Sequence, residues 1–280
     1  MTDALLLKNH ITVPYLPILG PVHPESITTK LITDLFCVGP TGNLLPYDKD
    51  CRWYSHKAEK LLLEHALHLK NGLILPTYNS ATRRIKLYCY GDVKKSDVTF
   101  LSKKIQLQGT HISVITYNQP IFADSSSVAV FLKNLKQSDM QDKCENIEIL
   151  KQTNAKDLMA LAVNPENEGF LFLSKRYGDG KLGPIFVSRR NGVLAGAIGP
   201  IDITKDSLGK NCCLPPYIGV VKQQRCKGVA TKLWMSAMNY AAQKGAEYLI
   251  LQAETDEPSE FFYSKLGLKN LGRVFTGVIS

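Results

Sequence analysis

Along the second half of this chain the apolar residues change rhythm several times. They alternate with polar neighbours in short runs, spread to every third or fourth position, then alternate again. Alternation places side chains on the two faces of a strand, whereas three-to-four spacing gathers them on one face of a helix. The pattern predicts a short strand at 147–150, a helix in "TNAKDLMALAV" that Thr153 or Asn154 caps, a Gly-rich loop, and a hairpin "GPIFVSRRNGVLAGAIGPI" turned at Asn191-Gly192. The strand "PYIGVV" follows, then a long helix in "GVATKLWMSAMNYAAQKG" stopped by Gly245. The strand "EYLILQAE", a helix around "SEFFYSKLG" and a last strand "RVFTGVIS" complete the series. A hairpin followed by alternating strands and helices predicts an α/β (α+β) architecture: a mixed, mostly antiparallel sheet flanked by helices.

The first half is less regular. "HKAEKLLLEHALHLKNG" carries leucines on one stripe and ends at Asn71-Gly72, which predicts an amphipathic helix. "GLILPTY", "RRIKLYCYG" and "HISVITYN" predict strands, and "SSSVAVFLKNLK" a helix capped from its serines. Helix, strand and helix recur in roughly the order of the second half, as in a degenerate duplication, although no residue-level repeat supports one. The polar segment "LKNLKQSDMQDKCENIEIL" places a junction near Lys143, giving domains at 1–143 and 144–280.

Composition narrows the function classes. With 44% hydrophobic and 21% charged residues, the chain is a folded globular protein and not a disordered one. Its start, "MTDALLLKNHITVPYLPILGPV", fits neither a signal peptide nor an anchor, and no run approaches the ~18 apolar residues of a membrane span, so a cytoplasmic protein with no membrane partner is expected. Seven scattered cysteines without C-x-x-C spacing predict reduced thiols and no metal site. His65 and His68 sit at helical spacing but lack a third ligand, and "VGPTGNLLP" lacks the lysine of a phosphate loop. A net charge of +9 points to an anionic partner. The basic pairs Lys94-Lys95, Lys103-Lys104 and Arg189-Arg190 lack the interleaved aromatics that stack bases, so nucleic acid ranks last.

The stretch "IGVVKQQRCKGVATKLW" carries the sharpest signal. A strand that stops in a small-residue turn and feeds a helix leaves amides unpaired at the helix start, which makes an anion site. Gly228 and Ala230 bring almost no side chain to hold a pyrophosphate away, and Lys222 or Lys227 adds charge. Arg225-x-x-Gly228-x-Ala230 resembles the acetyl-CoA loop R/Q-x-x-G-x-G/A of the GNAT acyltransferases. "FFYSKLGLKNLG" resembles that family's closing helix, with a helix, a glycine stop and a strand between the two motifs as the family requires. The resemblance covers about residues 146–280.

The resemblance implies a GNAT fold and acetyl-CoA as cosubstrate, held by Val220, Val221, Arg225, Cys226, Lys227, Gly228, Val229 and Ala230. It also implies an oxyanion contact from the Val220 or Val221 amide. Tyr263 matches the tyrosine that protonates the leaving thiolate. Its alternative is an aromatic on the buried stripe beside Phe262. An attacking amine must first lose a proton, and a free alkylammonium has a pKa of about 10.4. Here the strand "CCLPPYIGVV" lacks the family's glutamate, and 144–280 contains no histidine. The base is then a water chain, a group from the first domain, or a carboxylate, with Glu254 ranked ahead of Asp202 and Asp256. Asp256 stands where the family has a pantetheine-contacting asparagine. Glu254, Asp256, Glu257 and Glu260 form an acidic run suited to a cationic acceptor or to a helix start. Cys212-Cys213 allows an acyl-cysteine, but no histidine lies near it in sequence.

These readings converge on an N-acetyltransferase acting on a primary amine of a small cationic molecule, with residues 1–143 selecting the acceptor. In architecture and size the chain is similar to the tandem GNAT self-resistance enzymes for zwittermicin- or paenilamicin-type antibiotics. A protein lysine or N-terminal acetyltransferase and a non-catalytic acyl-CoA sensor remain as alternatives. The sequence does not reveal the oligomeric state.

Overall fold

The computed structural model describes residues 59–70, 72–79, 83–105, 111–117, 119–135, 146–163, 169–180, 182–205 and 210–279. His10, His23, His56, the expected turn at 38–46 and the junction at Lys143 lie outside them. The chain divides into two compact units. One is Met1–Leu132 together with Leu251–Ser280, and the other is Lys133–Ile250.

In the first unit, strands β1 (Glu59–Leu61), β2 (Leu67–Leu69), β3 (Gly72–Asn79), β4 (Arg84–Gly91), β5 (His111–Tyr117), β6 (Ser126–Asn134) and β14 (Lys269–Ile279) build a sheet. Its order is β1-β3-β4-β5-β14-β6, with β2 also on β3. Only β4 and β5 run parallel in this set, and the helix α1 (Lys95–Ile105) makes their crossover. The helix covers one face of the sheet, packing Val98, Leu101 and Ile105 onto Ile74, Ile85, Leu87, Cys89, Ile112 and Val114. Its start is closed from within: the Lys94 amide donates to Asp97 Oδ2 at 2.9 Å, a carboxylate cap on an otherwise unpaired N–H. The helix α4 (Pro258–Lys265) also belongs to this unit.

Two expected helices of the first half are strands. "HKAEKLLLEHALHLKNG" yields β1, a 3-10 turn at Leu63–His65, and β2, which pairs with β3 through Leu69↔Gly72. Leu67 and Leu69 keep strand alternation, and Gly72, expected just past a helix, opens β3 opposite Leu69. "SSSVAVFLKNLK" forms β6, where Ala129, Val130, Phe131 and Leu132 are all buried. A short apolar run covered on both faces has no period to read.

The second unit holds the four-stranded antiparallel sheet β12-β9-β8-β7, made of β7 (Ile147–Ile149), β8 (Phe186–Arg190), β9 (Val193–Gly199) and β12 (Tyr217–Val220). Asn191 (φ 51°) and Gly192 (φ 76°) take the two left-handed positions of the expected β8–β9 turn. Separately, β10 (Ile203–Lys205) pairs antiparallel with β11 (Asn211–Cys213), and β11 runs parallel to the start of β13 (Tyr248–Glu254). A 3-10 segment at Gln152–Ala160 packs on the helix α2 (Gly169–Tyr177), a helix that falls where the sequence reading had a loop. The long helix α3 (Val229–Gln243) lies on β8, β9 and β12 and buries Leu233, Ala237 and Ala241. Gly196 permits this closeness, since a Cβ there would meet Val229 Cγ1 and Leu233 Cδ1 at 3.1 Å. The architecture is thus mixed and mostly antiparallel, with helices against the sheets, as the periodicity predicts.

Candidate functional site

β12 ends its sheet, so among the described strands it pairs on one side only, with β9. The Val221 amide donates to Ala195 O at 3.0 Å. Carried back along the antiparallel register, that bond makes Gly219 and Tyr217 the residues bonded to β9. The amides and carbonyls of Ile218 and Val220 are then turned to the outer edge. The two valines therefore differ. Val221 is committed to β9, and its carbonyl accepts from the Gln224 amide at 2.8 Å, while Val220 presents an N–H at the open edge.

The strand leaves through a 3-10 turn, Lys222–Gln224, into the loop at 225–228. Arg225 folds back, its Nε donating to Val220 O at 3.3 Å. Cys226 (φ 59°) and Gly228 (φ 77°) are left-handed on either side of Lys227, a twist that turns successive amides into a shallow concavity. Gly228 is the N-cap of α3 and no side chain caps the helix. The first intrahelical bond is Lys232 N–H to Gly228 O at 3.1 Å, so the amides of Val229, Ala230 and Thr231 precede it. Nothing lies within 4 Å of a Cβ built on Gly228, hence glycine is needed there for its φ and for the open approach. Cys226, Lys227 and Gly228 are exposed, Val229 is buried, and Ala230 is partly covered.

One residue of this turn was not singled out from the sequence. Gln224 Oε1 is buried without a hydrogen-bond partner among the described residues. An unpaired buried acceptor costs about 1–3 kcal/mol, so a donor supplied by a ligand would relieve it. No spacing rule signals such an atom, because its burial depends on how the turn folds.

Tyr263, Glu254 and Asp256 belong to the first unit. Tyr263, on α4, is 5% exposed, with Phe131 and Phe262 at ring-centroid distances of 5.9 and 5.5 Å. Burial raises its phenol above the usual value, further from neutral pH, where a phenol is protonated in any case. Glu254 ends β13 and is exposed. Asp256 (φ 64°) is exposed, and its amide donates to Glu260 Oε2 at 2.7 Å. Glu260 also lies 3.7 Å from Arg273, so part of the acidic run serves the start of α4.

Other candidates are occupied. Asp202 Oδ1 accepts from the Gly183 amide at 2.6 Å and clamps a loop. Cys212 and Cys213 are fully buried on β11, out of reach of an acyl donor. His65 and His68 share no helix face, since one lies in a 3-10 turn and the other in β2. No group of side chains able to hold a metal occurs among the described residues. No helix among them is long and apolar enough to cross a membrane.

Residues 147–268 match the acetyltransferase (GNAT) family. The chain is 31% identical over 94 residues to N-alpha-acetyltransferase 30 of Schizosaccharomyces pombe, a match that covers 32% of this chain and 60% of that relative's length. Among solved structures, it is similar to an acetyltransferase from the GNAT family of Colwellia psychrerythraea. The TM-score is 0.51 at 15% identity, over 77% of this chain and 84% of the other. A functionally unknown conserved protein of Staphylococcus epidermidis gives a TM-score of 0.50 at 11% identity, over 72% and 90%. These likenesses concern the fold, and at 77% of this chain the first of them exceeds residues 147–280 and so extends into the first half.

Proposed function

We propose that the chain, whose residues 147–268 match the acetyltransferase (GNAT) family, is an acetyl-CoA-dependent N-acetyltransferase acting on a primary amine. The observation that carries this reading is the uncapped start of α3 behind left-handed Cys226 and Gly228. Amides there suit a pyrophosphate, and the exposed Lys222 and Lys227 add charge. The orphan Gln224 oxygen suits an N–H donor of the same ligand. Acetyl-CoA supplies an activated acetyl group as a thioester.

Each residue then has a task. The outward Val220 amide stabilises negative charge that develops on the thioester oxygen, a role Val221 is barred from by its bond to Ala195. Tyr263, a phenol that carries its proton at neutral pH, donates to the leaving thiolate. Glu254 is assigned as the base for the acceptor amine, and Asp256 as a contact for the cofactor arm. Residues 1–143 are assigned acceptor selection. The acceptor we favour is a small cationic amine, including a polycationic antibiotic, because the exposed carboxylates of Glu254, Asp256 and Glu257 suit positive charge. A second reading, an α-amine of a protein, draws on the name of the S. pombe relative.

The test is calorimetric titration with acetyl-CoA, followed by thiol release against polyamine, aminoglycoside, peptide and polycationic antibiotic acceptors. Binding with turnover on one class is expected. Binding without turnover favours a sensor, and no binding overturns the reading of the loop. Tyr263→Phe should lower turnover by about 100-fold and leave cofactor affinity unchanged. A sensor has no turnover to lose.

A further inference from the structure

Arg225 heads the loop motif, and a guanidinium beside a pyrophosphate invites assignment as a charge partner. The structure turns it elsewhere. Its Nε donates to Val220 O, the carbonyl that the β12 register directs to the open edge. The peptide joining Val220 to Val221 is thereby held at both ends, its carbonyl by Arg225 at 3.3 Å and its N–H by Ala195 O at 3.0 Å. Gln224 N–H to Val221 O at 2.8 Å and Arg225 N–H to Lys222 O at 3.3 Å close the same turn.

We propose that Arg225 is a positioning residue, which ties the phosphate loop to the end of β12 and so fixes the direction of the Val220 amide. A peptide plane cannot rotate without carrying its neighbour along, and the Val220 N–H is one peptide upstream of the plane that Arg225 holds. Releasing the carbonyl lets the strand end turn, and the oxyanion contact loses its aim while the main-chain amides at 226–231 still meet the pyrophosphate.

This inference rests on the acetyl-CoA reading above, and the experiment separates the two. Full-length protein labelled with 15N-valine, with Val220 assigned through Val220→Ile, is titrated with CoA and with acetyl-CoA, and both affinities are measured by calorimetry. In the wild type the Val220 amide should shift with acetyl-CoA beyond its shift with CoA. Arg225→Leu should abolish that acetyl-specific shift while CoA affinity changes less than about threefold, equivalent to about 0.7 kcal/mol. Arg225→Gln, which keeps a donor and removes the charge, should restore it. Equal, large losses of CoA affinity in both variants would show a charge partner and overturn the proposal. An unaltered acetyl-specific shift in Arg225→Leu would overturn it as well. If Arg225→Leu does not fold, Arg225→Gln decides alone, because a charge role predicts lost affinity and a positioning role predicts retained affinity and shift. A wild type that binds neither compound fails the acetyl-CoA reading itself.

Discussion

Two of the strand-to-helix-to-strand turns among the described residues have opposite outcomes. In the first unit β4, α1 and β5 close on themselves. The two strands pair in parallel from Arg84↔His111 to Tyr88↔Ile115, and Asp97 caps the helix start from inside. In the second, β12, α3 and β13 stay open. β12 pairs with β9, β13 with β11, and α3 begins without a side-chain cap. The same connectivity either satisfies its own backbone groups or leaves them for something else. Unpaired edges and helix starts need a partner, and where the protein supplies none, water or a ligand takes the place.

The largest test of this contrast fills the open loop. Gly228→Val demands a β-branched residue at φ 77° and places methyl groups in the approach to the amides. It should cost about 1–2 kcal/mol of stability and weaken acetyl-CoA binding more than about 100-fold by calorimetry. Next, the closed pattern can be transplanted. Thr231 holds in α3 the third helical position that Asp97 holds in α1. Thr231→Glu should therefore raise the melting temperature slightly while lowering acetyl-CoA affinity about tenfold, as a carboxylate caps the helix and repels phosphate. Higher affinity in that variant would break the comparison. In the reverse direction, Asp97→Ala should destabilise by about 1 kcal/mol in urea titrations and leave cofactor binding untouched.

The smallest effect concerns the stability contribution of Tyr263, on α4. Burial raises the Tyr263 pKa, so the folded state keeps a proton that the unfolded chain releases above a pH of about 10. Its contribution to stability is whole below that pH and is lost as pH rises towards the folded value. Tyr263→Phe should therefore show a shallower alkaline loss of stability in thermal melts followed between neutral and high pH.

Much of the second unit was legible in the sequence because its signals are local. Asn191-Gly192 turns a hairpin, Gly245 stops α3, and the spacing of Leu233, Ala237 and Ala241 marks a buried stripe. Three features were hidden for physical reasons. β6 is buried on both faces and has no period. α2 is a nine-residue helix, too short to separate from the loop around it. The division of labour between Val220 and Val221 depends on register, and adjacent identical residues differ only in which edge of the strand each one's N–H meets.

One further consequence follows from β14, which lies between β5 and β6 and pairs along both edges. Residues of the second unit separate β6 from β14 in the chain, so in topology the second unit is an insertion into the first. During synthesis at about 5–20 residues per second, β5 and β6 leave the ribosome well before the strand that joins them exists. Until the last segment is translated, the edges of β5 and β6 that β14 joins lack that strand partner.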